Sequence, residues 1–300
     1  MRSGACFLVL LLSLACVNTA FGDNANKFWL LYEQGNTAAD QKEYGRALQL
    51  YKDAIEGAGI FPEAEAAIGD VYLAEGEASL AQRQYEKAYD LRKSFYIPGA
   101  QYDILYKLAN LFEIQQLYKQ MEDSLTSIVL DDKRFLDTPN QRLRAQVEKN
   151  YFDKGIDRVL VLYNFDDSFA AAAHSKLGWF YYRTGRFAQS VPQLLYSVLY
   201  RVSQIERARS ERDVDYQYST LSELLAAVQS TPDLKDYAAS TGLFKDLYYL
   251  AGSTFADGYP QHASNLWKIL STTSAAAQYR ELAARQLKKP FVEPLLSIVR

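Results

Sequence analysis

The stretch Gly45–Gly57, GRALQLYKDAIEG, repeats its apolar residues at helical spacing, and one face alternates in size. Ala47, Tyr51 and Ala54 fall on one face, small, large, small. The pattern recurs 34 residues later, where Gly35 becomes Gly69, Ala47 becomes Ala81, Tyr51 becomes Tyr85 and Ala54 becomes Ala88. This spacing predicts paired helices, the first pair over 28–41 and 45–57, the second opened by Pro62 and turned at Gly76. Gly35 lets two helices approach, and the large side chain enters the gap between small ones. Such a pair buries its remaining face only against the next pair.

The pattern then loosens and returns. Over 103–130 the second-helix places hold Met121, Leu125 and Ile128, a bulkier version of the same unit. Residues 140–165 suggest a shortened pair turning at Gly155, although VLVLY alone reads equally as a strand. Leu177, Gly178, Tyr181, Gly185, Ser190, Leu194 and Ser197 restate the unit, with Pro192 expected in about the first turn of its second helix. The mixed-charge stretch 201–217 reads as an extended helix end and a connection, followed by a helix over 218–230. Leu250, Ala251, Gly258, Ala263, Trp267 and Leu270 restate the unit once more. A further first helix is expected over 274–289, and PFVEPLLSIVR as a terminal cap. No Asn-Gly or Asp-Gly turn separates alternating strands, so the expected class is all-α.

These residues resemble the tetratricopeptide repeat (TPR) family. The resemblance implies a right-handed α-solenoid of antiparallel helix pairs. It divides the chain into an N-terminal block over 23–135, a central helical block over 136–212 and a C-terminal block with cap over 213–300. It also implies that first helices line a concave groove taking a partner's peptide or helix. Helical spacing then selects Trp29, Tyr32, Asn36, Asp70, Tyr106, Asn110, Trp179, Tyr182, Arg183, Tyr248 and Phe255 as groove residues. The Lys–Asn pair with which some relatives clamp a terminal carboxylate is not reproduced. Asn36 and Asn110 occupy the Asn place, but Tyr32 and Tyr106 stand where Lys would be.

Composition narrows the function. A net charge of −3 with 49% hydrophobic residues excludes a strongly basic nucleic-acid binder and a disordered polyanion. The 23 tyrosines against 3 tryptophans suit surfaces apolar in the body and wet at the tip. Residues 1–22 carry Arg2, then an apolar run too short to span a bilayer, and read as a secretory signal cleaved after Gly22. The alternative is SLAC as a lipobox, with Cys16 lipidated and the chain held at a membrane. Both cysteines lie in this segment, so the mature chain has no disulfide or thiolate site. His174 reads as a packing residue and His262 as a solvated turn residue. Asp131-Asp132 and Asp166-Asp167 read as helix caps or solvated loops. No zinc-binding His pair, phosphate loop or nucleophile elbow is present. The expectation is an exported, periplasmic, non-enzymatic scaffold without cofactor, or an accessory subunit of a periplasmic solute-uptake system.

Overall fold

Alternating small and large residues decide how these helices meet. A Cβ on Gly35 would lie 2.5 Å from Tyr51 Cε1, and one on Gly69 2.6 Å from Tyr85 Cε1. At Gly178 it would lie 2.5 Å from Leu194 Cγ. Only glycine admits the large side chain that close. Ala47, Tyr51, Ala54, Ala81, Tyr85 and Ala88 are all buried, as are Met121, Leu125 and Ile128 at the bulkier unit. Ser190, Leu194, Ser197, Ala263, Trp267 and Leu270 are buried as well.

The computed structural model describes residues 27–133, 138–293 and 295–296. The expected signal over 1–22 and Cys16 lie outside the described residues. All regular structure among the described residues is helical. α1 covers 27–40. It is followed by α2 (Tyr44–Ala58), α3 (Pro62–Ala74), α4 (Ala78–Asp90), α5 (Ala100–Ile114) and α6 (Tyr118–Asp131). Then come α7 (Thr138–Lys154), α8 (Ile156–Leu162), α9 (Ala171–Arg183) and α10 (Phe187–Ser210). The chain closes with α11 (Leu221–Gln229), α12 (Pro232–Ser240), α13 (Leu243–Ala256), α14 (Pro260–Thr272) and α15 (Gln278–Lys288). VLVLY is therefore not a strand; its first four residues lie in α8 and Tyr163 follows the helix, with Ile156, Val159 and Leu160 buried at helical spacing.

One turn joins five of the pairs: α1–α2, α3–α4, α5–α6, α9–α10 and α13–α14. A residue of positive φ stands at 42, 76, 116, 185 or 258. Its N–H bonds to the carbonyl three residues back, and the next N–H bonds to the carbonyl five residues back. Examples are Gly76 to Leu73 at 3.1 Å and Glu77 to Tyr72 at 2.8 Å. This is the Schellman arrangement, which satisfies the last carbonyls of a helix. Lys42 and Gln116 adopt the left-handed conformation without being glycine, at φ 63° and 60°.

The helices fall into two compact units, up to Ser124 and from Leu125. In the first, α2 packs on α3, α3 on α4 and α4 on α5. In the second, α10 packs against α9 and α13, α13 against α14, and α14 against α15. The chain between α10 and α13 makes an excursion in which α11 packs on α8. Pro192 stands inside α10 rather than in its first turn. Its missing N–H deprives the helix of an interior bond. The extension of α10 to Ser210 carries Tyr200, Arg201, Val202 and Ile205 into the core.

Candidate functional site

In the N-terminal unit, α1, α3 and α5 border an open cleft of about 450 Å³. Three of the expected groove residues, Tyr32, Asn36 and Asp70, line it. Asp40, Glu63, Asp103 and Lys107 add charge to the walls, with Phe95 and Ile104 among the apolar positions. Four carboxylates against one lysine make the cleft acidic. Asp70 accepts a 2.7 Å bond from the Tyr85 hydroxyl and forms an ion pair with Lys107 at 2.6 Å. Asn36 Oδ1 accepts from the Tyr51 hydroxyl at 2.9 Å. Both polar groups are thus part of the wall, tied to the ring that fills each helix pair. Burial pushes the hydroxyls of Tyr32, Tyr51 and Tyr85 above the ordinary phenol range. They remain hydrogen-bond donors at neutral pH.

Trp29 does not line this cleft. Its ring packs edge-on against Phe61 at 4.7 Å, and against Tyr32 and Tyr96. Tyr106 and Asn110 are also outside the lining. The face of α5 turned to the cleft runs through Ala100, Asp103, Ile104 and Lys107 instead. Sequence reasoning missed Lys107, whose spacing of four from Asp103 is the signal that places both on one stripe.

The C-terminal unit departs further from expectation. Tyr182 and Tyr248 are buried, at 1% and 2% exposure, and act as packing and anchoring residues rather than as an open surface. The Tyr182 ring lies against Gly252, where a Cβ would come within 3.0 Å of it. The chain's own C-terminal segment supplies the reason. The Glu293 N–H donates to the Tyr182 hydroxyl at 3.0 Å, and the Tyr248 and Tyr249 hydroxyls donate to the Glu293 carboxylate. The Leu296 N–H donates to the Arg183 carbonyl at 2.7 Å. The described part of PFVEPLLSIVR therefore lies on the expected groove face. Burial, opposed by the Glu293 backbone bond, pushes the Tyr182 hydroxyl up to about 12. Phe255 is half-buried against Trp267, at 5.7 Å. Trp179 remains half-buried, with the Lys245 ammonium 4.5 Å and the Arg183 guanidinium 5.7 Å from its ring.

Polar groups inside this unit are more organised than their sequence suggests. Asp246, fully buried, accepts from Ser175 at 2.7 Å and Ser197 at 2.6 Å, and from Arg201 Nη1. Neither Arg201 nor Asp246 stood out in the sequence. The available signal was charge inside an apolar run: Arg201 in YRVSQI, and Asp246 beside Lys245 in LFKDLYYL. Asp132 is not solvated: it is buried and accepts from the Tyr200 hydroxyl at 2.7 Å and from Ser168. Asp166 is exposed and paired with Arg207 at 2.9 Å. His174 is buried as a packing residue, and burial lowers its imidazole to about 4. His262 is not a free turn residue, since Nε2 meets the Phe152 carbonyl at 2.8 Å.

Among the described residues, no helix is long and apolar enough to cross a membrane. No family model matches the chain. It is 24% identical over 249 residues to an uncharacterized protein of Treponema pallidum (strain Nichols). That match covers 82% of this chain and 66% of the relative, so the chain spans slightly less than two thirds of that protein's length. A second similarity, 22% identity over 271 residues, is to an uncharacterized protein of Borreliella burgdorferi (strain ATCC 35210 / DSM 4680 / CIP 102532 / B31), covering 81% of this chain and 84% of the relative.

Proposed function

We propose that the chain is a non-enzymatic scaffold of the TPR type, working in the cell envelope after export or, through Cys16, as a lipoprotein. Its N-terminal cleft holds a partner's peptide or helix. The observation that carries this reading is the cleft itself, where Tyr32, Asn36, Asp70, Asp103 and Lys107 from three successive first helices share one wall. The recurring glycine-to-large-residue contact and the repeated turn support the TPR-type solenoid. The carboxylate majority favours a segment carrying Lys or Arg. The tail of the C-terminal unit, laid on tyrosines by backbone and carboxylate bonds, illustrates how such a face engages extended chain.

Selection from a displayed random decapeptide library tests this. Enriched sequences should carry a basic residue beside an aromatic or aliphatic one, and should bind more weakly as salt rises. Charge reversal of the exposed acids, Asp40→Lys with Asp103→Lys, should abolish that enrichment. Selection that yields no basic motif, or one indifferent to the reversal, sinks the cleft assignment. The second reading, an accessory subunit of solute uptake, is favoured by a larger cleft of about 650 Å³ in the C-terminal unit.

A further inference from the structure

That second cleft lies among α9, α10, α12 and the segment before α9, with Phe169, Ala172, Arg201, Gln204, Leu234 and Tyr237 in its walls. Arg201 is the unusual member. It is 6% exposed, yet its side chain faces a space large enough for a small molecule. Its hydrogen bond runs from Nη1 to Asp246, which is itself held by Ser175 and Ser197. The carboxylate therefore fixes the guanidinium plane and leaves N–H donors of the fork for an occupant. Gln204, in the same wall, has an amide nitrogen buried without a hydrogen-bond partner. The Tyr237 hydroxyl feels both Asp167 and Arg201.

We propose that this cleft binds a small organic monocarboxylate, its head on the Arg201 fork and its apolar body against Phe169, Ala172 and Leu234. A planar carboxylate matches a guanidinium edge by two parallel bonds. The charges around it set the limit of one negative charge. Asp246 already balances Arg201. At the rim, Asp233 is paired with Arg212, and the exposed Asp167 takes only a backbone bond from Ser168. A phosphate or dicarboxylate would bring its second charge toward Asp167. The apolar walls leave an aliphatic or aryl body as the complement.

The inference gives the solute-uptake reading a ligand class, and the test separates the two. The full chain is titrated calorimetrically with monocarboxylates from butanoate to octanoate, with 3-phenylpropanoate, and with the matching amides, alcohols and dicarboxylates. At least one monocarboxylate should bind with a submillimolar Kd, and its amide and dicarboxylate counterparts at least tenfold more weakly. Ala172→Trp fills the cleft without touching the Arg201–Asp246 pair, and should abolish binding at an unchanged melting temperature. Arg201→Lys keeps the charge and should erase the preference of acid over amide. Equal binding of acid and amide, or acid binding that survives Ala172→Trp, overturns the carboxylate assignment. A neutral ligand lost in Ala172→Trp would overturn the ligand class and leave the cleft as a solute site. No binding by any probe overturns both. None of these outcomes touches the peptide reading of the N-terminal unit.

Discussion

Replacing Gly69 by Ala tests the packing logic directly, because propensity and packing predict opposite signs. The new Cβ would lie 2.6 Å from Tyr85 Cε1, 2.7 Å from Cδ1 and 3.2 Å from Cζ. The ring has little room to retreat. It is fully buried, and its hydroxyl is tied at 2.7 Å to Asp70, which Lys107 holds in turn. Overpacking of this kind costs about 1–3 kcal/mol. Alanine's better helix propensity returns about 0.5–1 kcal/mol. The expected net loss is therefore about 0–2.5 kcal/mol, and about 1 kcal/mol at mid-range. Gly45→Ala is the control, since nothing lies within 4 Å of its added Cβ. It should be neutral or stabilising by up to about 1 kcal/mol. Urea unfolding, followed by far-ultraviolet circular dichroism and by tryptophan fluorescence, measures both. A Gly69→Ala chain more stable than the parent, or one that gains as much as Gly45→Ala, would refute the claim that close approach selects this glycine.

Further expectations come from the turns, the interior and the tail. Lys42→Gly and Gln116→Gly should each stabilise by about 0.5–1 kcal/mol, because the left-handed conformation costs a side-chain-bearing residue more than glycine; a loss in urea melts would speak against the turn assignment. His174, lowered by burial to about 4 in the fold from its ordinary value of about 6.5, stays neutral where the unfolded chain's imidazole protonates. Its stabilisation is complete above pH 6.5 and declines as pH falls toward 4, by roughly 3 kcal/mol in all. His174→Gln should flatten that part of the stability–pH curve, and an unchanged slope would disprove the assignment. Ending the chain after Pro290 removes the Glu293 and Leu296 bonds. It should lower the melting temperature by several degrees and speed protease cleavage near α15; an unaltered melt would show that the tail adds no stability.

The helix pairs were legible because their packing is local. Gly69 and Tyr85 are sixteen residues apart, and their contact follows from one turn and two helical periods. The same regularity located Ser190, Leu194 and Ser197 and placed His174 in the core. Burial from distant chain was not legible. Tyr182 and Tyr248 carry the helical phase of groove residues, and nothing within their own repeats announces that Glu293 will cover them. Tyr106 and Asn110 lie outside the cleft lining for a smaller reason: the face of α5 turned to the cleft is the one through Asp103 and Lys107. Arg201 and Asp246 were passed over because charge in a helix is usually solvated. Their pairing across 45 residues is a tertiary event with no spacing of its own.

The Arg201–Asp246 pair also constrains how the chain can change over time. Removing one partner strands a buried charge, at a cost of about 3–5 kcal/mol, whereas replacing both by apolar residues of similar volume is often neutral or stabilising. A lineage that loses the aspartate must therefore lose the arginine almost at once, or pass through a form with little stability to spare. Across descendants of this fold, positions 201 and 246 should be inherited as one character. Ser175 and Ser197 should be free to vary only where that character has been lost.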